Sequence, residues 1–203
     1  MIDLGPLRTL LFVPGTRLDR VDKALATAAD AVIIDLEDAV PLAQKAAARE
    51  AVSRLLADLD SRKIIVRVNG THTAYFEEDI PQVVCSRLAA ILVPKVESDE
   101  DVSLINEALL QAEKIKGLKP GLLPMIALIE TARAVDNISQ IVRADTQPAR
   151  LYTVAFGAAD YTLDLGIEIT EEGNELQYAR SRLPIACRAA GLEPPLDTPS
   201  CST

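Results

Sequence analysis

The chain has 203 residues, a formal net charge of −9 at pH 7 and a sequence pI near 4.7. This acidity opposes non-specific binding to nucleic acid or to an anionic membrane, because the long-range field repels phosphate groups. No apolar run is long enough to cross a bilayer, and the N-terminal residues carry neither the basic leader nor the small-residue cleavage site of a signal peptide. We therefore expect a cytoplasmic protein with no nucleic-acid and no membrane partner, in which an anionic ligand needs a local basic site.

Length and cysteine content predict the domain organisation. A chain of this size can bury one sizeable core, and its apolar residues are spread evenly, so we expect a single domain over residues 1–203. Cys85, Cys187 and Cys201 are odd in number and widely spaced, which indicates neither a disulfide framework nor a CxxC metal site. We expect free thiols.

Short apolar runs alternate along the chain with longer stretches of helical period. The apolar runs predict six strands, at Thr9–Pro14, Ala31–Leu36, Lys63–Asn69, Ala90–Lys95, Leu123–Ile129 and Leu151–Phe156. The intervening stretches predict helices at residues 17–28, 42–59, 75–86, 99–115, 134–144 and 172–191. Thr16 is a candidate N-cap of the first helix, and Pro184 is expected to kink the last one.

Six strand–helix repeats with all-apolar strands predict an α/β fold with a parallel sheet that is covered on both faces. A closed barrel and an open doubly wound sheet both satisfy this pattern. The first strand–helix turn, VPGTRLD, has one glycine instead of the GxGxxG fingerprint, and the chain has no P-loop motif, which favours a TIM (β/α)8-type barrel. In such a barrel, the residues at the C-terminal ends of the strands face the active site.

Charged and polar side chains follow the C-terminal ends of the predicted strands: Glu37, Asp38, Arg67, Asn69, Lys95, Glu97, Glu130 and Asp160. So many acids in one place would repel one another unless a cation lies among them. Mg²⁺ suits such a site because it takes oxygen ligands and needs only one or two protein carboxylates. Glu130 and Asp160 are the best candidate ligands, since they follow consecutive strands. Glu37 and Asp38 would act around the metal or orient Arg67.

Arg67 lies in a strand, IIVRVN, that is otherwise apolar enough to be buried. A buried guanidinium needs a carboxylate partner, so Arg67 could form a structural ion pair with Glu37 or Asp38. It could also grip a substrate carboxylate or keto oxygen, and both roles can hold at once. His72 is the only histidine, so a metal site built from histidines is excluded. We expect His72 to face solvent.

Seven segments together resemble the citrate lyase beta-subunit-like branch of the HpcH/HpaI aldolase superfamily. They run in order from Arg8 to about Leu192, and the resemblance is specific because of their number and order. The segments are RTLLFVPG (Arg8–Gly15), ADAVIIDLEDAV (Ala29–Val40), IIVRVNG (Ile64–Gly70), LVPKVES (Leu92–Ser98), ALIET (Ala127–Thr131), FGAADYTLDLG (Phe156–Gly166) and ELQYAR (Glu175–Arg180).

The resemblance implies a magnesium-dependent carbon–carbon lyase with a TIM barrel, assembled as a homo-oligomer (trimer or hexamer). Such enzymes act on acyl-CoA thioesters such as citryl-, malyl- or citramalyl-CoA and release acetyl-CoA and a 2-oxo acid.

The resemblance also implies the roles of individual residues. Glu130 and Asp160 would ligate Mg²⁺. Arg67 would bind the oxo acid and stabilise its developing alkoxide, while Glu37 and Asp38 would hold metal-bound waters and Arg67. The backbone of Gly157, Ala158 and Ala159 would contact the substrate carboxylate.

The chain is short for such a barrel, which usually needs about 250 residues. Only six strand–helix units are predicted, and EPPLDTPSCST after Gly191 begins like the family's seventh strand. We expect the C-terminal units to be missing, which leaves the general acid/base unassigned. Two alternatives to the lyase follow: a non-catalytic subunit that binds metal and oxo acid but lacks the CoA lid, and a pyruvate-type class II aldolase.

Overall fold

The computed structural model of the chain describes residues 2, 4–59, 61 and 63–197. Its centre is a six-stranded, all-parallel sheet in which the strands follow one another in chain order. The strands are β1 (Leu10–Pro14), β2 (Ala31–Asp35), β3 (Ile64–Arg67), β4 (Ala90–Val93), β5 (Met125–Ile129) and β6 (Leu151–Phe156). All six predicted strands are therefore confirmed, with ends that lie within two residues of the predicted ones.

Helices follow every strand on the outer face of the sheet. They are α1 (Val21–Leu25), α2 (Lys45–Asp58), α3 (Ala74–Val83), α4 (Asp99–Ile115), α5 (Ala132–Asp136), α6 (Ile138–Ile141), α7 (Ala158–Leu165) and α8 (Gln177–Ala190). Short 3-10 turns precede three of them, at Leu18–Arg20, Leu42–Gln44 and Asn174–Leu176.

The helices differ from the predictions in two respects. Helix α7 was not predicted; its eight residues end at Gly166, which adopts the left-handed conformation that suits a helix C-terminus. Thr16 caps no helix, because the chain first forms a 3-10 turn whose N-cap, Arg17, makes no side-chain capping bond. Pro184 lies inside α8, and the kink expected there stays a prediction.

The two faces of the sheet bury different cores, because alternate residues of a strand point to opposite faces. The outer face packs against the helices in a large apolar cluster that includes Val32, Val66 and Val154. The inner face forms a smaller cluster, which consists of Ala31, Ile33, Ile65, Ala89, Ala90, Leu92, Ile126, Leu128 and Ala155. This inner cluster occupies the place of a barrel interior.

The N-terminal segment crosses the end of the sheet at which the strands begin. The amide of Ile2 donates to the carbonyl of Leu122, just before β5, and the hydroxyl of Tyr152 donates to the carbonyl of Gly5. Leu4 packs against the inner cluster. The segment thus links the region before β5 and β6 to β1 and covers this end of the inner core.

A buried ion pair lies at the same end of the sheet. Both guanidinium Nη atoms of Arg150 donate to the carboxylate of Glu113, each at 3.0 Å, and neither side chain is exposed. The carboxylate also accepts the amides of Gly121 and Leu123. With these partners the pair is satisfied and remote from the C-terminal ends of the strands.

Beyond α8 the chain returns to the free edge of β6. Leu196 pairs in parallel with Ala155 and exchanges backbone hydrogen bonds with Val154 and Phe156, each at 2.9 Å. This is the position at which the sequence predicts a seventh strand. Residues 198–203, with Cys201, lie outside the described part of the chain.

Within that part, β1 pairs only with β2, so the sheet is an open portion of a TIM-type barrel. Among the described residues, no helix is long and apolar enough to cross a membrane.

Candidate active site

Arg67 and Asp35 form the central ion pair at the C-terminal ends of the strands. They are register partners on β3 and β2, and both side chains point to the inner face. Arg67 Nε donates to Asp35 Oδ1 at 2.7 Å and Nη2 donates to Oδ2 at 2.6 Å. Burial opposes the charged guanidinium, but the neighbouring carboxylates outweigh burial and raise the pKa of Arg67. The guanidinium is therefore charged, and two of its three nitrogens are held rigidly.

The third nitrogen of Arg67 faces the two acids that the sequence nominates as its partners. Nη1 lies 3.0 Å from Glu37 Oε2 and 3.5 Å from Asp38 Oδ2. Burial is the main cause that raises the pKa of Glu37, with Arg67 opposing this shift and Asp38 adding to it. Glu37 Oε2 is buried and accepts no hydrogen bond from a described residue, because its approach to Nη1 lacks hydrogen-bond geometry. This oxygen is free to accept a bond from a water or a ligand.

Lys95 supplies a second positive charge beside these acids. Its Nζ lies 3.4 Å from Glu37 Oε1 and 3.4 Å from Asp160 Oδ2. Its backbone adopts φ 53°, a left-handed conformation that is uncommon for a residue with a side chain. In this conformation the Lys95 amide donates to Glu130 Oε1 at 3.0 Å. Lys95 therefore contacts three of the candidate acids with its backbone and side chain.

Glu130 is a buried acid of the site. Desolvation, together with the negative charges of Glu37 and Asp160, raises the pKa of this carboxyl to about 8, against the opposing effect of Lys95. A cation placed between Glu130 and Asp160 would remove this repulsion. The residues that the structure describes contain no group of three or more His, Cys, Asp or Glu side chains that could together hold a metal. Two carboxylate ligands completed by waters match the coordination preference of Mg²⁺ and not that of Zn²⁺.

The segment after β6 brings Asp160 and the predicted backbone contacts to the site. Asp160 lies in the first turn of α7 and not directly at the strand end. Gly157 precedes this helix, and a Cβ at Gly157 would lie 2.6 Å from both Cβ and Oε2 of Glu130. Only glycine allows this close approach. Ala158 is buried, while Ala159 and Asp160 line the cavity beside the helix N-terminus.

A cavity of about 570 Å³ opens onto these groups. Its charged end is lined by Asp38, Arg67, Glu130 and Asp160, and its middle is lined by the apolar inner face of the sheet. Its size is within the range of small-molecule sites. The cavity therefore offers a charged end and an apolar wall to one ligand.

Other residues nominated from the sequence lie away from the cavity. Asn69 is buried behind the site and donates to Asp79. Glu97 accepts a hydrogen bond from Thr131 at 2.8 Å. His72 is exposed, as expected, with Asp101 3.6 Å away.

The comparisons with known proteins agree with this geometry. Residues 8–198 match the family described as HpcH/HpaI aldolase/citrate lyase. The citrate lyase subunit beta of Leuconostoc mesenteroides subsp. cremoris is 37% identical over 187 residues, which cover 91% of this chain and 61% of that protein. This chain therefore spans about three fifths of the length of such curated relatives.

Two solved structures from Mycobacterium tuberculosis are similar in fold and sequence. The citrate lyase beta subunit complexed with oxaloacetate and magnesium has a TM-score of 0.76 and 31% identity, over 97% of this chain and 80% of that one. The protein CitE in complex with magnesium, acetoacetate and coenzyme A has a TM-score of 0.75 and 31% identity, over 96% of this chain and 66% of that one. The fold, the family match and these similarities together show that the chain belongs to the HpcH/HpaI aldolase/citrate lyase family.

Proposed function

We propose that this chain carries the active site of a magnesium-dependent carbon–carbon lyase. The substrate would be a 3-hydroxyacyl-CoA thioester such as citryl-, malyl- or citramalyl-CoA, cleaved to acetyl-CoA and a 2-oxo acid. The observation that carries the proposal is the placement of Arg67, which is charged and fixed by Asp35, at the same cavity as Glu130 and Asp160. The relatives bound to oxaloacetate, acetoacetate and coenzyme A support this substrate class.

Glu130 and Asp160 are the residues that would hold Mg²⁺. Their mutual repulsion, which is part of the cause of the raised pKa of Glu130, is what a divalent cation relieves. Lys95 Nζ lies 3.4 Å from Asp160 and would give way to the metal. Glu37 Oε2 has no hydrogen-bond donor among the described residues, so it can accept a bond from a water beside the metal. Bound Mg²⁺ would supply Lewis-acid stabilisation to the oxygens at the hydroxy-acid end of the substrate, which becomes the 2-oxo acid.

Arg67 would stabilise the charge that develops during cleavage. The 3-hydroxyl of the acyl group reacts as its alkoxide. Breaking the bond between C2 and C3 turns this alkoxide into the ketone of the oxo acid. The electron pair of the broken bond stays on C2, which becomes part of the thioester enolate. Protonation of the enolate gives acetyl-CoA. Nη1 of Arg67 is the nitrogen not taken by Asp35, so it is placed to donate to the alkoxide oxygen.

The N-terminal end of α7 would bind the carboxylate of the substrate. The backbone at Gly157, Ala158 and Ala159 begins this helix beside the cavity. The amide of Gly157 already donates to the carbonyl of Ile129, so the contact would come from the first turn of the helix, whose amides have no partner within the helix and favour an anion. This placement supports the contact that the family resemblance implies.

We further propose that residues 1–203 belong to one barrel domain, which acts in the cytoplasm as a homo-oligomer, either a trimer or a hexamer. One continuous sheet through six strands supports the single domain. Exposed apolar side chains on and after α7, at Leu163, Leu165, Ile167 and Ile169, support association with another subunit. The free thiols of Cys85 and Cys187 fit a reducing compartment.

The experiment that tests the function is acetyl-CoA release from citryl-, malyl- and citramalyl-CoA, with Mg²⁺ or with EDTA. Release that needs Mg²⁺ and disappears in the Glu130→Gln variant supports the lyase and identifies its substrate. Binding of Mg²⁺ and oxaloacetate without cleavage of any thioester would contradict the lyase and support the non-catalytic subunit. Cleavage or formation of a free hydroxy-oxo acid from pyruvate would support the class II aldolase.

A further inference from the structure

The turn that follows β2 is held from its inner side by Asp35. The carboxylate of Asp35 accepts the amide of Glu37 at 2.9 Å and the amide of Ala39 at 3.0 Å, in addition to its two bonds from Arg67. The N–H groups of the turn therefore point towards the inner face of the sheet. These contacts fix the two peptide groups that carry the amides of Glu37 and Ala39.

The same turn is held from its opposite side by Lys45, at the start of α2. Lys45 Nζ donates to the carbonyl of Leu36 at 2.9 Å, to the carbonyl of Glu37 at 3.0 Å and to Oδ1 of Asn69 at 2.6 Å. Lys45 is buried, and an ammonium group has three donors, so these bonds use them all. A buried ammonium that spends its hydrogen bonds on two carbonyls of one turn fixes the orientation of those peptides.

A second layer of buried groups holds Lys45 and Asn69 in place. Asp79 on α3 accepts the side-chain amide of Asn69 at 2.6 Å and its backbone amide at 2.9 Å. Arg49 Nε donates to the other oxygen of Asp79 at 2.6 Å. Lys45 and Arg49 lie one helical turn apart on the same face of α2. Helix α2 therefore anchors the loops after both β2 and β3.

The orientation of the turn determines where the side chain of Glu37 points. With its amide directed to Asp35 and its carbonyl directed to Lys45, Glu37 places Oε2 3.0 Å from Arg67 Nη1. Its other oxygen lies 3.4 Å from Lys95 Nζ. Since the guanidinium is planar and its Nε and Nη2 are bound to Asp35, Asp35 fixes the direction of Nη1. The turn places the carboxylate of Glu37 beside that nitrogen.

We propose that Lys45 is a positioning residue, which sets the orientation of the turn after β2 and so places the carboxylate of Glu37 beside Arg67 Nη1, without touching substrate or metal. This inference rests on the proposed function, because Arg67 is the group that would bind the oxo acid. Lys45 does not contact Glu130 or Asp160, the proposed metal ligands. Its loss should therefore weaken oxo-acid binding more than it weakens binding of Mg²⁺ alone, which changes only through Glu37.

A matched control distinguishes the positioning role of Lys45 from a purely structural role. Glu113 belongs to the buried pair with Arg150 at the opposite end of the sheet, and it also accepts two backbone amides. Glu113→Gln, like Lys45→Met, should destabilise the protein, but it should leave the site intact. Melting temperatures measured for both variants show how far each is destabilised.

The experiment compares the wild type, Lys45→Met and Glu113→Gln by calorimetric titration with Mg²⁺ alone and then with oxaloacetate at saturating Mg²⁺. We expect Lys45→Met to weaken oxaloacetate binding at least about tenfold, the scale on which supporting groups affect a site. Glu113→Gln should bind both as the wild type does. Unchanged oxaloacetate binding in Lys45→Met, or an equal loss in the two variants, would overturn the proposal.

Two resonances test the positioning without any ligand. In the wild type, the ammonium of Lys45 should give a slowly exchanging proton–nitrogen signal, because all its hydrogens are bonded; a rapidly exchanging signal would overturn the proposal even if Lys45→Met does not fold. The Nε–H signal of Arg67 should shift in Lys45→Met and not in Glu113→Gln. If the wild type binds neither Mg²⁺ nor oxaloacetate, the proposed function fails, while these signals still decide the role of Lys45.

Discussion

Arg67 and Asp35 are register partners on neighbouring parallel strands, and their side chains form a two-pronged ion pair on the inner face of the sheet. The pair satisfies Asp35 and two nitrogens of Arg67, which leaves the third nitrogen directed at Glu37 and Asp38. Arg67 thus has a structural partner in Asp35 and a third nitrogen, Nη1, that is not bound to Asp35. The two roles that the sequence leaves open for Arg67 are therefore compatible in geometry.

Asp35→Asn should destabilise the protein strongly. The amide cannot balance the buried guanidinium, and breaking a buried pair by removing one partner costs about 3–5 kcal/mol. The matched control is Asp38→Asn, since the Asp38 side chain is 60% exposed and lies 3.5 Å from the same arginine. An exposed pair contributes less than about 1 kcal/mol. Urea unfolding of both variants checks this prediction, and equal losses would contradict it.

Arg67→Lys should abolish oxo-acid binding while the protein still folds. An ammonium is a single point charge and cannot bind Asp35 with two prongs while presenting a third donor to a ligand. The measurement is calorimetric titration with oxaloacetate in the presence of Mg²⁺, with circular dichroism as the control for folding. A variant that fails to fold would instead show that Arg67 is mainly the structural partner of Asp35.

The sheet and most of the site could be predicted from the sequence, because they depend on local patterns. Apolar runs gave the six strands, and the rule that catalytic groups follow strand ends brought Arg67, Glu130 and Asp160 to one cavity. The role of Asp35 was missed, although residue alternation places Asp35 and Arg67 on one face. The interaction needs the strand register, which in parallel strands is set by contacts distant in sequence.

The role of Lys95 at the site and that of Lys45 behind it could not be predicted for a different reason. The amide of Lys95 donates to Glu130 in a left-handed backbone conformation, and nothing in the sequence VPKVE indicates that conformation. Lys45 looks like an ordinary surface residue at the start of a helix, and its burial depends on how α2 packs against two loops. Both features arise from tertiary packing.

Glu130→Gln should weaken Mg²⁺ binding at least about tenfold, because it removes a charged ligand. Wild-type binding should tighten as pH rises towards 8, since a carboxyl with a pKa of about 8 must lose its proton to bind the metal. Calorimetric titration with Mg²⁺ at pH 6, 7 and 8 measures both effects. Unchanged affinity in the variant would remove Glu130 from the metal site.

Glu130→Gln should also stabilise the metal-free protein at neutral and alkaline pH. On folding, the pKa of this carboxyl rises from 4.5 to about 8. The folded state therefore holds the proton more tightly, and wild-type stability is lost as pH rises between these two values, by roughly 1.4 kcal/mol for each pH unit at most. Glutamine has no such proton to lose.

Urea unfolding of the wild type and Glu130→Gln at pH 5 and pH 8, in EDTA, tests this linkage. The free energy of unfolding of Glu130→Gln should exceed that of the wild type by more at pH 8 than at pH 5. Adding Mg²⁺ at pH 8 should stabilise the wild type and have little effect on the variant. A difference in the free energy of unfolding that does not change with pH would contradict the raised pKa of Glu130.

Gly157→Ala should impair the metal site by displacing Glu130. An added Cβ would lie 2.6 Å from both Cβ and Oε2 of Glu130, a distance at which one of the two must move. The carboxylate cannot move without losing its hydrogen bond from the amide of Lys95. The matched control is Gly70→Ala at the end of β3, where the nearest atom to an added Cβ is the carbonyl oxygen of Pro94 at 3.8 Å. We expect Mg²⁺ affinity to fall in Gly157→Ala and to persist in Gly70→Ala, measured by calorimetric titration. Equal affinities would show that the contact between Gly157 and Glu130 does not set the position of the carboxylate.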